Sequence, residues 1–525
     1  MTRRVLLAAA VAGACTIAVH PSVGADSSPQ FGRVTVLPGS GGAEPSIAAD
    51  FSAASRGKDI YVTSISPGAN IWHSPDDGQT WSQPVAFDVN GPSRGSDADV
   101  SVAGDGTVYV ADLNVTHTWV QSSTDHGQTF NLGSPSTPEA DRPWITASGS
   151  SNVYVAYHDF ASETILVCPS SDRGATFGAC VDTFGANDPM ATTNCTTNTD
   201  IGKGLRVDPT DGSLNIVFSC STPSDLPKSP PYGPVHDYYM SKSTNGGLTW
   251  STYTMFVADV SGKSPTLSNF WTSFVIDDAG NYYALMDGTY DDNNVATNPY
   301  HVYLLRSTDH GHTWSAPVTV DHEPDGMGTH VLSDLYATAP GNLDIVFYGT
   351  TATGEPNGVC GSVASQGPCP NGEGLPDDKS PNPPAWRVSM AQTLDGLDPS
   401  PAFTRVPVTP DFTHFGEICT NGIVCGSSDR SLLDYISVVV DCGGNAHVAF
   451  GGNPGELGGQ SPQVYEADQT GGSVLAAPAA CGAAVATPEG PLSALVPLTG
   501  VGIVAAVVIG RRRKRRHGGD IDSYS

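Results

Sequence analysis

Five short segments of one form constrain this chain more than anything else in its sequence. Ser74-Pro-Asp-Asp-Gly-Gln-Thr-Trp81, Ser123-Thr-Asp-His-Gly-Gln-Thr-Phe130, Ser170-Ser-Asp-Arg-Gly-Ala-Thr-Phe177, Ser243-Thr-Asn-Gly-Gly-Leu-Thr-Trp250 and Ser307-Thr-Asp-His-Gly-His-Thr-Trp314 share the pattern S-x-D-x-G-x-T-[W/F]. The third position holds Asp76, Asp125, Asp172, Asn245 and Asp309 in turn. An oxygen there accepts hydrogen bonds from the turn's own amides and from the neighbouring hydroxyls. The glycine takes the positive φ of a tight hairpin, and the aromatic ring opens the next strand and is expected to bury between sheets. Asn245 keeps the acceptor oxygen without the charge, so this position builds turns and is a poor place to look for chemistry.

Each such turn closes a larger unit that recurs seven times. Its most regular part is a β-branched and aromatic run: Ile60–Ile65, Val108–Asp112, Val153–Tyr157, Leu214–Phe218, Tyr282–Met286, Leu343–Tyr348 and Ala446–Phe450. A shorter apolar strand precedes each run, as at Pro45–Ala49, Val100–Val102 and Ile436–Val440. The last two units carry degenerate turns, Thr393-Leu-Asp-Gly396 and Asp468-Gln-Thr-Gly-Gly472. Four strands repeated radially make an all-β propeller of four-stranded blades, seven by this count. Closing such a ring needs both chain ends in one blade, or a sheet edge stays open. Gly32–Val36 is therefore expected to complete the last blade beside Gln463–Tyr465.

The five turns resemble the Asp box, or BNR repeat, of sialidases and their relatives. The resemblance implies the propeller; because sialidases have six blades, six is the alternative to seven. It also implies a test for activity. Sialidases hold the substrate carboxylate with three arginines, the first in an Arg-Ile-Pro motif of the first blade, and use an Asp acid/base and a Tyr nucleophile activated by a Glu. The corresponding stretch here is Ala43-Glu-Pro-Ser46, an acid where a cation is needed. Arg142, Arg206 and Arg430 would form a triad only by an arrangement unlike the family's.

The two ends place the body outside a membrane. Residues 1–25 read as a signal peptide, with Arg3-Arg4 before an apolar run and a small-residue cleavage site at Val23-Gly-Ala25. The propeller is assigned to 26–481 and a short linker to 482–491. An uncharged stretch at 492–510 is long enough to span a bilayer, and the basic tail at 511–525 reads as cytoplasmic. Val496-Pro-Leu-Thr-Gly500 is a near miss to a sortase signal, so a cell-wall linkage is the alternative to a retained anchor. The formal net charge of −29 excludes nucleic acid as a partner, and removing the basic ends makes the body more acidic still. Apart from Cys15, the cysteines fall as near neighbours in what should be an oxidising compartment. Proximity suggests Cys168–Cys180, Cys195–Cys220, Cys360–Cys369, Cys419–Cys425 and Cys442–Cys481.

Strand direction puts the repeat turns on one face and the long insertions, 178–200, 219–236, 287–301, 349–385 and 404–433, on the other. Ordered loops on a rigid scaffold are where binding concentrates. The inner strands begin at that loop face, with Glu44, Asp97, Asp99, Asp141, Arg142, Asp200, His330, Asp334 and Asp434 at or near the channel mouth. Asp97, Asp99, Asp141, Arg142, Asp200 and Asp434 are the candidate catalytic residues. Glu44, Arg142, Arg206, His330, Asp334 and Arg430 are the candidate ligand-binding residues. Such acids suit Ca²⁺ or a general acid and base, and equally a hydrated rim with no chemistry. Asp287 with Asp291–Asn294 is a second Ca²⁺ candidate. Two functions stand: a recognition module for glycan, wall polymer or surface protein, and a glycoside hydrolase, exo-sialidase-like or acting on a neutral sugar.

Overall fold

The computed structural model describes residues 28–482, leaving out 66–69, 88–96, 115–116, 138–139, 160, 163, 196–198, 221–236, 259–265, 268–271, 290–299, 322–327, 355, 357–374, 376–380, 421–428 and 454–460. The segment read as a signal peptide and the one read as a membrane anchor lie outside these residues. Among the described residues no helix is long and apolar enough to cross a membrane.

Seven antiparallel sheets make up the molecule, so the count by units holds and the six-blade alternative falls. Their inner strands are Ser46–Ala49, Ala98–Val102, Ala140–Ser148, Thr199–Val207, Phe274–Ile276, Thr329–Ala337 and Ser437–Val440, in blades 1 to 7. Each inner strand packs beside the next, and that of blade 7 returns to that of blade 1. The second strands explain why the apolar runs were so legible. Leu214–Cys220 and Leu343–Thr350 are buried at every position, because a neighbouring blade covers each face of their sheet. The seams hold separate apolar cores; one joins Tyr61, Ile71 and Phe87 to Val100, Val108 and Val110 across blades 1 and 2. The outer strands of blades 1 and 3, Val85–Ala86 and Val181–Asp182, are only two residues long, which limits the exposed edge there.

The ring closes as expected. Gln30–Val36 pairs antiparallel with Gln463–Gly471, with Val36 opposite Tyr465, as the fourth strand of blade 7. Arg33 then crosses into blade 1, where it donates to the carbonyls of Gly78 and Gln79 at 2.5 and 3.0 Å.

The repeat turns have the chemistry their pattern implies. Asp125 accepts from the Ser123 hydroxyl at 2.7 Å, the Thr129 amide at 2.9 Å and the Thr129 hydroxyl at 2.6 Å. Ser123 Oγ in turn accepts from the Gly127 amide at 2.9 Å. These bonds hold the Asp125 carboxyl down at about 2. In blade 4 the polarity reverses, with Asn245 Nδ2 donating to Thr249 Oγ1 at 2.8 Å. The rings of Trp81, Phe130, Phe177, Trp250 and Trp314 are only partly buried, lying along the seams instead of within them.

The turns also clasp neighbouring blades. The residue before each glycine is left-handed as well: φ is 55° at Asp77, 59° at His126, 66° at Arg173 and 59° at His310. That backbone aims its side chain at the first turn of the preceding blade. Arg173 reaches Asp105 at 2.9 Å, His310 reaches Asp208 at 2.8 Å, and His126 lies 3.6 Å from Asp59.

Three of the expected disulfides are present: Cys168–Cys180, Cys195–Cys220 and Cys442–Cys481. Cys419 is also disulfide-bonded; Cys425 and the pair Cys360 and Cys369 lie outside the described residues. Cys442–Cys481 ties the C-terminal segment to the first turn of blade 7. On its way there the segment donates from Ala476 to Asn342 Oδ1 of blade 6 at 3.3 Å and from Ala479 to Asp278 Oδ2 of blade 5 at 2.7 Å. The chain therefore leaves the propeller on the repeat-turn face.

Two outcomes follow in thermal or denaturant unfolding. Asp125→Ala should lower stability by about 1–2 kcal/mol while Asp125→Asn costs much less, as Asn245 already fills the equivalent place. Cys442→Ser with Cys481→Ser should remove about 3–4 kcal/mol, from the entropy of the loop they close.

Candidate functional site

The inner strands enter the loop face through a repeated backbone irregularity. Register shifts fall between Asp141 and Trp144, Ile201 and Leu205, and Val331 and Asp334. Each contains a left-handed residue: Arg142 at φ 57°, Gly204 at 103° and Leu332 at 56°. Glu44 and Leu433 are left-handed at the corresponding entries of blades 1 and 7, both at about the same φ, 57° and 56°. For non-glycine residues this conformation costs of order 1–3 kcal/mol and persists only where surrounding contacts enforce it.

Those contacts are electrostatic. Arg142, from blade 3, is almost fully buried and directs its guanidinium at Glu44 Oε1 (3.3 Å), Asp97 Oδ2 (3.3 Å) and Asp434, from blades 1, 2 and 7. Asp434 is wholly buried and also takes the fork of Arg430, at 2.5 and 2.8 Å. Burial raises Glu44 to about 7, against the opposing pull of Arg142 and with further repulsion from Asp97. Burial likewise lifts Asp141 to about 6. A hydrogen bond to Asp97 and the repulsion of its charge push both carboxyls further up. Arg142 is held charged by Asp97, Glu44 and Asp141 although burial opposes it.

Beneath the rim lies the central channel, a cavity of about 200 Å³ lined in part by Asp99, Trp144, Lys203, Arg206, Asp334 and Tyr336. Its own charge pair is Lys203 with Asp334. Lys203 Nζ lies 2.6 Å from Asp334 Oδ2, 2.6 Å from the Ile436 carbonyl and 5.2 Å from the centre of the Tyr435 ring. Asp334 also accepts from Ser273 Oγ at 2.9 Å and from the Val438 amide at 3.1 Å, so one carboxylate joins blades 4, 5, 6 and 7.

Asp99 does not share the environment of Asp97. It turns sideways, accepting from Ser46 Oγ at 2.6 Å and from the Ile145 amide at 2.9 Å, and its burial raises it despite those bonds. Asp97 and Asp99 thus have different partners, the first Arg142 and the second Ser46 and the Ile145 amide. Asp200 is the second residue of the inner strand of blade 4, opposite Ser219. Arg206 lies at the other end of that strand, opposite Asn215 and near the repeat-turn face. Its guanidinium folds over Gly204, where an added Cβ would come within 2.7 Å of it. Arg142 and Arg430 meet at one end of the channel and Arg206 sits at the other, so the three do not converge.

His330 also leaves the mouth, for the seam of blades 5 and 6. Its Nδ1 lies 2.6 Å from Asp321, which His301 approaches at 2.8 Å. Asp287, the described part of the second Ca²⁺ candidate, is taken up by Ser333, at 2.5 Å to its hydroxyl and 3.0 Å to its amide; Asp291–Asn294 lie outside the described residues.

Two groups were missed by sequence reasoning. Lys203 was overlooked although its setting, Gly202-Lys-Gly204 on an inner strand, marks a side chain given room. On the loop face, Phe412 and Phe415 form a half-buried pair with centroids 5.9 Å apart, and the Arg387 guanidinium lies 4.7 Å from the Phe412 ring.

No protein-family model and no curated protein matches this chain. Solved propellers do resemble it in fold. A protein of unknown function from Dyadobacter fermentans has TM-score 0.45 at 12% identity, over 84% of this chain and 98% of that one. An ulvan lyase, described as a new family of polysaccharide lyase, has TM-score 0.49 at 12% identity over 87% and 100%. A GH74 xyloglucanase from Xanthomonas campestris has TM-score 0.41 at 14% identity over 83% and 55%. Likeness at this level does not extend to chemistry.

The rim has a pH signature. A carboxyl raised in the folded state stabilises most when protonated, and that contribution fades as pH rises from its unfolded value through about 7 for Glu44. Raising pH from 5 to 8 should therefore lower the melting temperature of the wild type more than that of Glu44→Gln, measured side by side by calorimetry.

Proposed function

We propose that this chain is a sialidase-like, Asp-box recognition propeller, displayed outside the cell, that holds glycan, wall polymer or a surface protein at its long-loop face. The observation that carries this reading is the consumption of the rim's charges by one another. A glycosidase needs two reachable carboxyls about 5 or about 6.5–9.5 Å apart, with room for a sugar between them. Here Glu44 and Asp141 each hydrogen-bond Asp97, while Asp434 is wholly buried under two guanidiniums. A sialidase would present its arginines to the ligand, whereas Arg142 is spent on three carboxylates.

The exit of the chain supports the display. Residues 475–482 run over the first turns of blades 7, 6 and 5. An anchor at 492–510 following the linker would hold the repeat-turn face toward the membrane and turn the loop face outward. Disulfides suit that oxidising setting. The Phe412, Phe415 and Arg387 cluster supplies the flat apolar and cationic surface that sugars and proteins stack on.

The test is a glycan and wall-polymer binding screen on the full chain, alongside fluorogenic sialosides and neutral glycosides. The expected result is saturable binding, weakened about tenfold by Phe412→Ala, with no turnover. Turnover abolished by Asp97→Asn, or binding indifferent to Phe412→Ala, would overturn the reading.

A further inference from the structure

On the face opposite the loops, the seam of blades 1 and 2 brings together two imidazoles, a carboxylate and a phenol. Asp59 ends the first turn of blade 1, His73 and Tyr61 lie on its strands, and His126 belongs to the repeat turn of blade 2. Asp59 Oδ1 lies 2.6 Å from His73 Nε2 and 3.6 Å from His126 Nδ1. The Tyr61 hydroxyl is 3.2 Å from the same His126 nitrogen. The three donor atoms of Asp59, His73 and His126 all lie within 4.8 Å of one another.

The orientation of these groups is fixed beforehand. His73 stacks on Tyr61, with centroids 4.8 Å apart and planes 11° apart. His126 lies nearly parallel to His73, at 5.6 Å and 14°. His126 is held by the left-handed backbone of its turn, and its side chain is about half exposed, at 48%. The site is therefore formed, and open to water on one side.

Comparison with equivalent seams sets this one apart. Between blades 2 and 3 the acid Asp105 is met by a permanent cation, Arg173. Between blades 4 and 5, Lys242 Nζ occupies Asp211 at 2.9 Å, and Asp208 accepts from both His310 and the Tyr282 hydroxyl. In the seam of blades 5 and 6, His330 Nδ1 also faces the Tyr300 carbonyl at 3.2 Å, which demands a proton on that nitrogen instead of a lone pair. The seams of blades 1 and 2 and of blades 5 and 6 each set two imidazoles against one carboxylate, and the first differs in that neither of its facing imidazole nitrogens meets a backbone carbonyl among the described residues.

We infer that Asp59, His73 and His126 bind a divalent transition-metal ion of the Zn²⁺ class at the seam of blades 1 and 2. Imidazole nitrogen with one carboxylate oxygen is a donor set for zinc, copper or nickel, whereas Ca²⁺ and Mg²⁺ take oxygen donors. Three protein ligands leave a fourth position for water or Tyr61. A metal bound here also clasps the two blades that the turn already joins, so occupancy stabilises the ring by mass action.

The test is calorimetric titration of Zn²⁺ into the chelator-treated full chain, compared with His126→Ala, His73→Gln and His310→Ala. His126 is half exposed, so its removal leaves the fold intact, and a melting curve without metal checks this. The expected result is a saturable equivalent of Zn²⁺ that weakens at least tenfold in His126→Ala and in His73→Gln and persists in His310→Ala. Added Zn²⁺ should also raise the melting temperature of the wild type but not of His126→Ala. No saturable binding, or equal binding by all variants, or a loss in His310→Ala as large as in His126→Ala, would overturn the assignment.

Discussion

The structure depends on one buried guanidinium. Arg142 leaves blade 3 on a left-handed backbone and meets acids from blades 1, 2 and 7, linking four of the seven blades at the loop-side mouth. Lys203 and Asp334 do similar work lower in the channel for blades 4 to 7. Buried ion pairs add little when swapped whole for apolar groups, but removing one partner leaves an uncompensated charge at a cost of about 3–5 kcal/mol. The channel is thus held by charges that cannot be lost singly. The apolar seams supply cohesion, and the charges fix how the blades meet at the axis.

This division explains what was legible. Runs such as Leu343–Thr350 announce themselves because both faces of the sheet are covered, so every position turns apolar. The repeat turns announce themselves because each bond is local, Ser to Asp to Thr within a few residues. The closing strand followed from the need to leave no open edge, and Val36 does lie opposite Tyr465.

The channel was harder to read because its chemistry is non-local. Glu44 and Arg142 are 98 residues apart, and Lys203 and Ile436 are 233 apart. Listing acids near inner-strand starts found Asp97, Asp141 and Asp434 but not their common partner's role. A period of two grouped Asp97 with Asp99, yet one joins the rim and the other stitches Ser46 to Ile145. Arg206 counts among the candidate ligand-binding residues as an arginine on an inner strand, although its register puts it at the far end from Arg142. The repeat turns held a further surprise: the variable residue before the glycine, which the pattern leaves blank, is the one that clasps the preceding blade.

The pairing of the rim's charges across blades holds the ring together at the loop-side mouth. A double-mutant cycle between Arg142 and Asp434, using Arg142→Met and Asp434→Asn in denaturant unfolding, measures it most directly. The account predicts a coupling of about 2 kcal/mol or more between the two residues. A coupling within about 0.5 kcal/mol of zero would show two independent side chains free for another task, and would contradict it.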